Sequence, residues 1–225
     1  MRRSERLAAL GQLSAGLAHE LRNPLGTIRA SAEMLKNQFT EGNPVAGELA
    51  GFIATEVDRA NSLVTRFLEF ARPLEPRLET TELTEVLDRA VLHLERDGAN
   101  RQVTVYKNYS PDVRRFKFDA ELMERVFYNL LVNAAQASQP GGAVTVKTRP
   151  AGDGVEISVI DRGAGIDPRD KGSIFNPFFT TRPDGVGLGL AIVSKIVDGH
   201  GGKMAFESEL GKGSVFHVYL PLHSE

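Results

Sequence analysis

Arg72-Pro73-Leu74-Glu75-Pro76-Arg77 is the stretch on which the fold turns. Its prolines remove backbone donors and fix φ, so a helix cannot run through it. Upstream, every apolar pattern has helical spacing. Downstream, strand-like alternation and helical spacing take turns. The chain is therefore expected to form two domains, residues 1–73 and 81–225, joined by a linker over 74–80.

In the first region Leu7, Leu10, Leu13, Leu17, Leu21, Leu25, Ile28, Ala32 and Leu35 recur three and four residues apart. That spacing predicts a helix from about Arg3 to Gln38. The residues before it lack helix-start punctuation and read as if entered mid-helix, so an upstream region is expected. Gly42, Asn43 and Pro44 punctuate a turn, with Asn43 as N-cap and Pro44 at the first helical position. A second helix to about Arg72 carries the stripe Val45, Leu49, Phe52/Ile53, Val57, Ala60, Leu63/Val64 and Phe67/Leu68. Two long helices joined by a short turn make an antiparallel hairpin. A hairpin cannot bury broad stripes on both helices alone. It is expected to dimerise into a four-helix bundle, the alternative being that it packs on the C-terminal region.

His19 stands off the first stripe, about 200° around the wheel from it. Ala15, Gly16, Arg22 and Asn23 share its face, and Glu20 follows it. The imidazole should be exposed and approachable. Pro24 withholds the N–H that the carbonyl of Glu20 needs, so the helix is expected to kink just below His19. Taken by itself, a lone surface histidine on a helix is as readily idle as functional.

Composition narrows the classes. With 225 residues and ordinary apolar content a packed core is feasible. A net charge of −2 argues against nucleic-acid binding by bulk electrostatics. The chain has no cysteine, which excludes disulfides and thiolate chemistry and fits a cytoplasmic, reducing setting. No apolar run reaches the ~18–20 residues of a membrane span, so no membrane contact is expected of this stretch.

Beyond the prolines, Leu83 to Glu95 reads as helix, and Val103–Tyr109 and Val113–Phe118 read as strands. Asp119 should cap a helix whose core face is Leu122, Met123, Val126, Phe127, Leu130, Leu131, Ala134 and Ala135. Ala143–Thr148 and Val155–Ile160 form a strand pair around Gly152-Asp153-Gly154. A glycine- and proline-rich loop covers Asp161 to Val186, then a helix covers Gly187 to Gly199. Lys203–Ser208 and Ser214–Leu220 close the chain as another strand pair. This is an α/β sandwich, a sheet covered on one face by helices.

Several clusters there invite chemistry. Asn129 and Asn133 share a helix face. Stacked carboxamides suit a hydrated Mg²⁺ and phosphate oxygens, although alone they read more readily as a pair of solvated surface amides. Asp161-Arg162-Gly163-Ala164-Gly165 follows a strand and sets a fixed carboxylate beside backbone a ligand can approach. A carboxylate accepts from an exocyclic amine, which suits adenine. Gly185-Val186-Gly187-Leu188-Gly189 opens a helix, where N–H groups meet phosphate. Its spacing is neither the dinucleotide fingerprint nor a P-loop. Between them Ile174-Phe175-Asn176-Pro177-Phe178-Phe179-Thr180-Thr181-Arg182 is too apolar to lie bare. It reads as a lid anchored by phenylalanines, with Thr180, Thr181 and Arg182 facing phosphate. His93, His200, His217 and His223 have no acidic or histidine partner at metal-ligand spacing.

The order His-Glu-x-x-Asn-Pro, Asn-x-x-x-Asn, Asp-x-Gly-x-Gly, Phe-x-Pro-Phe-Phe, Gly-x-Gly-x-Gly resembles the H, N, G1, F and G2 boxes of the sensor histidine kinases of two-component systems. The resemblance spans nearly the whole chain. The segment Phe175–Thr181 looks most like the nitrogen-regulatory type. The resemblance implies a dimerisation and histidine-phosphotransfer domain, then an ATP-binding domain of the fold shared with gyrase, heat-shock chaperones and mismatch-repair ATPases. It implies that His19 takes the γ-phosphoryl group of ATP, with Glu20 as base, and passes it to an aspartate of a response regulator. Asn133, with Asn129, matches the Mg²⁺-ATP asparagines, and Asp161 matches the adenine carboxylate. Gly163, Gly165, Gly185, Gly187 and Gly189 match the nucleotide-loop glycines. Thr180, Thr181 and Arg182 would contact phosphate. Asn23 matches the amide that orients water on the regulator's phosphoaspartate, which implies phosphatase activity. A clamp-type ATPase of the same fold would explain the second domain but not His19, and an inactive scaffold would not need every box.

Overall fold

The computed structural model describes residues 25–37, 44–71, 73–96, 103–182 and 185–222. The chain divides into two compact units, Met1–Pro73 and Leu74–Glu225.

In the first unit residues 25–37 are helical (α1), and α2 spans Pro44–Ala71. Pro44 stands at its first position, where the missing N–H costs nothing. Arg29 joins the helices, donating Nη1–H to Asp58 Oδ1 at 2.7 Å while its Nε–H reaches Glu33 Oε1 at 3.1 Å. Ala32, Ala50, Val57 and Phe70 are buried. Ile28, Leu35, Val45, Leu49, Phe52 and Ile53 belong to the predicted stripes but are exposed. His19, Glu20, Asn23 and Pro24 lie outside the described residues.

The second unit follows as β1 (Glu79–Thr81), α3 (Leu83–Arg96), β2 (Val103–Asn108), β3 (Phe116–Phe118), α4 (Ala120–Ala137), β4 (Gly142–Ala151), β5 (Gly154–Asp161), α5 (Gly189–Gly199), β6 (Lys203–Glu209) and β7 (Gly213–Pro221). Its main sheet has five strands in the order β2-β4-β5-β7-β6. The β2–β4 pair is parallel and the other pairs are antiparallel. Helix α4 lies against β4, β5 and β7, α5 against β6 and β7, and α3 against α4.

Alternation explains the layering. Val155, Ile157 and Val159 of β5 and Phe216, Val218 and Leu220 of β7 are buried toward the helices. Intervening positions carry polar pairs such as Arg149–Glu156, a two-pronged ion pair at 2.8 and 2.9 Å. From α4 come Met123, Val126, Phe127, Leu130 and Leu131, all fully buried. Each such side chain contributes about 1.5–3 kcal/mol by leaving water.

Two boundaries differ from the sequence reading. The strand expected over Val113–Phe118 is only Phe116–Phe118. It pairs with Glu79–Thr81, which the sequence reading assigned to linker and domain start. Three residues are too few to show a period, and their pairing is set by distant chain. Residues 74–80, expected as a linker, are held to the second unit. The Arg77 N–H donates to Asp119 Oδ2 at 2.9 Å. Leu74 and Pro76 crowd Gly199, where an added Cβ would lie 2.8 Å from Leu74 Cδ2.

Asp119 Oδ1 also accepts the Leu122 N–H at 3.0 Å, capping α4 as its position predicts. Beside it His200 is 3 % exposed. Its Nε2 accepts from the Asp119 N–H at 3.1 Å, so Nδ1 carries the proton and donates to the Ile196 carbonyl at 2.8 Å. This histidine ties the end of α5 to the start of α4. It is structural.

Candidate nucleotide site

The site grows from the end of β5, the C-terminal half of α4 and the start of α5. Asp161 ends β5 and is 4 % exposed. Its Oδ1 accepts N–H groups from Gly163 at 2.9 Å and Ser214 at 3.2 Å. Both bonds fall on one oxygen, which leaves Oδ2 for a further donor. Burial raises the carboxyl pKa, opposed by those two backbone donors and by the charge of Arg182.

The glycines after Asp161 are demanded by the protein's own packing. A Cβ on Gly163 would lie 2.1 Å from the Ala137 carbonyl oxygen at the end of α4. Gly165 has φ +70° and sits under the Glu209 carbonyl. The loop is bonded on both sides: Ala164 donates to Ala137 O at 3.0 Å, and Gly211 donates to Ala164 O at 2.7 Å. Ser208 Oγ accepts the Ile166 N–H at 2.8 Å and donates to Gly213 O at 3.1 Å. The sequence reading missed Ser208, Gly213 and Ser214. The only signal is their place at the ends of the last two strands, beside the turn that joins them.

Asn129 and Asn133 face the start of α5. Asn129 Nδ2–H donates to the Arg125 carbonyl at 2.8 Å, which turns its Oδ1 outward. A Cβ on Gly189 would lie 3.2 Å from that Oδ1 and 4.0 Å from Asn133 Nδ2. Helix α5 starts at Gly189 with no side-chain cap on its first N–H groups. Two carboxamides and a set of open N–H donors therefore meet at one point, an environment complementary to an anion and its counter-ion.

The segment between these loops partly departs from expectation. Ile174 is buried, and Phe175 lies edge-on to Phe206 with centroids 5.8 Å apart. Phe178, however, is 54 % exposed and has φ +67°. Its N–H donates to the Gly187 carbonyl at 2.8 Å. Gly187 has φ +69° and lies so close to Phe178 and Phe179 that a Cβ there would be 2.5 Å from Phe178 C. Thr180 is engaged within its own loop. Its Oγ1 accepts the Arg182 N–H at 3.1 Å and crowds Gly185. Thr181 is exposed. Arg182 turns inward: Nη1–H reaches Gln136 Oε1, and Nη2–H reaches the Asn133 carbonyl at 3.3 Å. Burial lowers its pKa, offset by Asp161. Gln136 was absent from the predicted site.

Acidic partners of the other histidines come from separate elements, which spacing cannot reveal. His93 Nδ1 lies 3.2 Å from Glu124, and His217 Nδ1 lies 3.0 Å from Ser158 Oγ and 3.5 Å from Glu156. Among the described residues no group of three or more acidic, histidine or cysteine side chains is placed to hold a metal.

Both units match known protein families. Residues 118–224 match the family model described as histidine kinase-, DNA gyrase B- and HSP90-like ATPase. Residues 9–76 match the His kinase A (phospho-acceptor) domain. The sensor histidine kinase ZraS of Klebsiella oxytoca is 40 % identical over 227 residues, which is 99 % of this chain and 48 % of that protein. The chain thus spans about half the length of this curated relative. The crystal structure of full-length ShkA in complex with AMPPNP superposes with a TM-score of 0.76 at 27 % identity, covering 95 % of this chain and 46 % of that one. Histidine kinase ThkA, in complex with the response regulator protein TrrA, gives a TM-score of 0.70 at 27 % identity, covering 98 % of this chain and 64 % of that one. With a phospho-acceptor domain ahead of an ATPase domain of this fold, the chain belongs to the sensor histidine kinases of two-component systems.

Proposed function

We propose that this chain binds ATP in its second unit, phosphorylates His19, and passes the phosphoryl group to an aspartate of a response regulator. The observation that carries the reading is the meeting of Asn129, Asn133 and the open N-terminus of α5, with Asp161 held beyond the end of the same helix α4. Asp161 Oδ2 is the acceptor for the exocyclic amine of adenine. The α5 N–H groups and the asparagine amides serve the phosphates.

In the transfer a neutral imidazole nitrogen of His19 attacks the γ-phosphorus, the bond to the β-phosphate oxygen breaks, and ADP leaves. Glu20 accepts the proton from the other ring nitrogen and offsets the developing charge. Asn133, assisted by Asn129, would hold Mg²⁺ through side-chain amide oxygen, the hard donor type that ion prefers. The fit is sound because Asn129 already has its Nδ2 committed and its oxygen outward. Mg²⁺ would neutralise phosphate charge as the β–γ bond opens. Thr180 and Arg182 reach phosphate only after leaving their present contacts, while Thr181 is exposed. Asn23 orients water on the regulator's phosphoaspartate, giving phosphatase activity.

The exposed stripe on α1 and α2 supports a homodimer through the hairpin. Residues 1–73 are the dimerisation and phosphotransfer domain, and the ATP-binding domain begins just after Pro73. No helix among the described residues is long and apolar enough to cross a membrane, and we place this portion in the cytoplasm. Incubation with γ-labelled ATP tests the reading. The expected product is an acid-labile, base-stable phosphoprotein. Multiple-turnover ATP hydrolysis without a phosphoprotein would point instead to a clamp-type ATPase.

A further inference from the structure

Gln136 lies seven residues after Asn129 and three after Asn133, so it continues their face of α4 by one turn. Its side-chain carbonyl accepts from Arg182. The same guanidinium donates to the Asn133 backbone carbonyl. Arg182 also lies close enough to Asp161 for each charge to bias the other's ionisation. The guanidinium thus rests on the C-terminal end of α4, bonded to Gln136 and the Asn133 carbonyl, one residue short of Ala137, whose carbonyl accepts the Ala164 N–H of the loop after Asp161.

We propose that Gln136 is a positioning residue for the nucleotide site, stationing Arg182 beside Asp161 until a nucleotide displaces it. The inference rests on the ATP-binding reading above. Two donors compete for the environment of Asp161: the arginine held by Gln136 and the amine of an incoming base. Any adenine ligand must first release Arg182 from Gln136 and the Asn133 carbonyl. Only a ligand with phosphates then offers the freed guanidinium a new partner. Gln136 therefore sets a cost common to adenosine and ATP, whereas Arg182 itself distinguishes them.

A plain structural role predicts otherwise. A cation at a helix C-terminus offsets the dipole of α4. If that were all, losing the contact would lower the melting temperature and leave ligand affinity alone. Gln136 is exposed, so its substitution leaves the core intact.

The test measures adenosine and ATP affinity by NMR titration of the full chain, with melting temperatures alongside. Gln136→Leu, lacking the acceptor, should tighten both ligands about fivefold, the scale of one net hydrogen bond. Gln136→Glu, with a charge-assisted contact, should weaken adenosine by a similar factor. Arg182→Ala should tighten adenosine but weaken ATP relative to it. Shifts of the same sign for the Leu and Glu variants, or shifts under twofold for both, would overturn the proposal while wild type still binds ATP. Wild type binding neither ligand would overturn the ATP reading itself.

Discussion

The two units treat apolar residues in opposite ways. The second closes its own core: Leu83, Leu87, Phe127, Leu130, Ile157 and Val218 are each fully buried. Among the described residues of the first, the buried set is Ala32, Ala50, Val57 and Phe70, while Phe52 on the same α2 is 71 % exposed and Leu49 56 %. One unit is complete as a single copy. The other presents an apolar face that a second copy would cover. Under the proposed function the division would suit phosphotransfer, the nucleotide domain closing its own core and the domain that carries His19 being completed by a second copy.

The largest expected effect breaks this contrast on the hairpin side. Leu49→Asp with Phe52→Asp places charge on the exposed stripe of both copies. At about 1.5–3 kcal/mol per buried side chain, the loss over two copies raises the dimer dissociation constant more than about a thousandfold. Analytical ultracentrifugation should show monomer, with ATP binding by the second unit retained. A dimer that survives would show the hairpin is not the interface.

The next effect lies at Asp161. Burial raises its folded-state pKa above the unfolded value. Such a group adds stability below the unfolded pKa, near 3.9 for aspartate. That stability is lost as pH rises through the folded pKa. Asp161→Asn should therefore melt at least as high as wild type at pH 7, with the difference shrinking on acidification, while ATP binding falls at least about tenfold for the loss of a charged acceptor. A difference that widens in acid would reverse the sign of the burial argument. The smallest effect is on the hairpin. Asn23→Ala should preserve autophosphorylation and slow regulator dephosphorylation several-fold, within the range of one positioned group. An unchanged rate would remove its phosphatase role.

What was legible in the sequence follows the range of the interactions. Helices α2 to α5 and the long strand pairs carry their own periodicity, and Asp119 and Pro44 mark true helix starts. Asn129, Asn133, Asp161 and Gly189 stood out because each breaks a local rule, an amide in a helix or a carboxylate before glycines. Strand β1 did not, because its pairing with β3 is made across 37 residues and lends no local pattern. Nor did Ser214 or Gln136, whose roles come from backbone and arginine contacts made far along the chain. Gly163 and Gly165 were read as room for a ligand. Their immediate cause is the protein's own backbone.

The central claim joins the two units: ATP bound by the second serves His19 of the first. Its most direct measurement is γ-labelled ATP given to wild type and to His19→Gln at equal ATP occupancy. Wild type should yield an acid-labile, base-stable phosphoprotein and the variant none, while the variant still binds ATP. Equal labelling of the variant would contradict it.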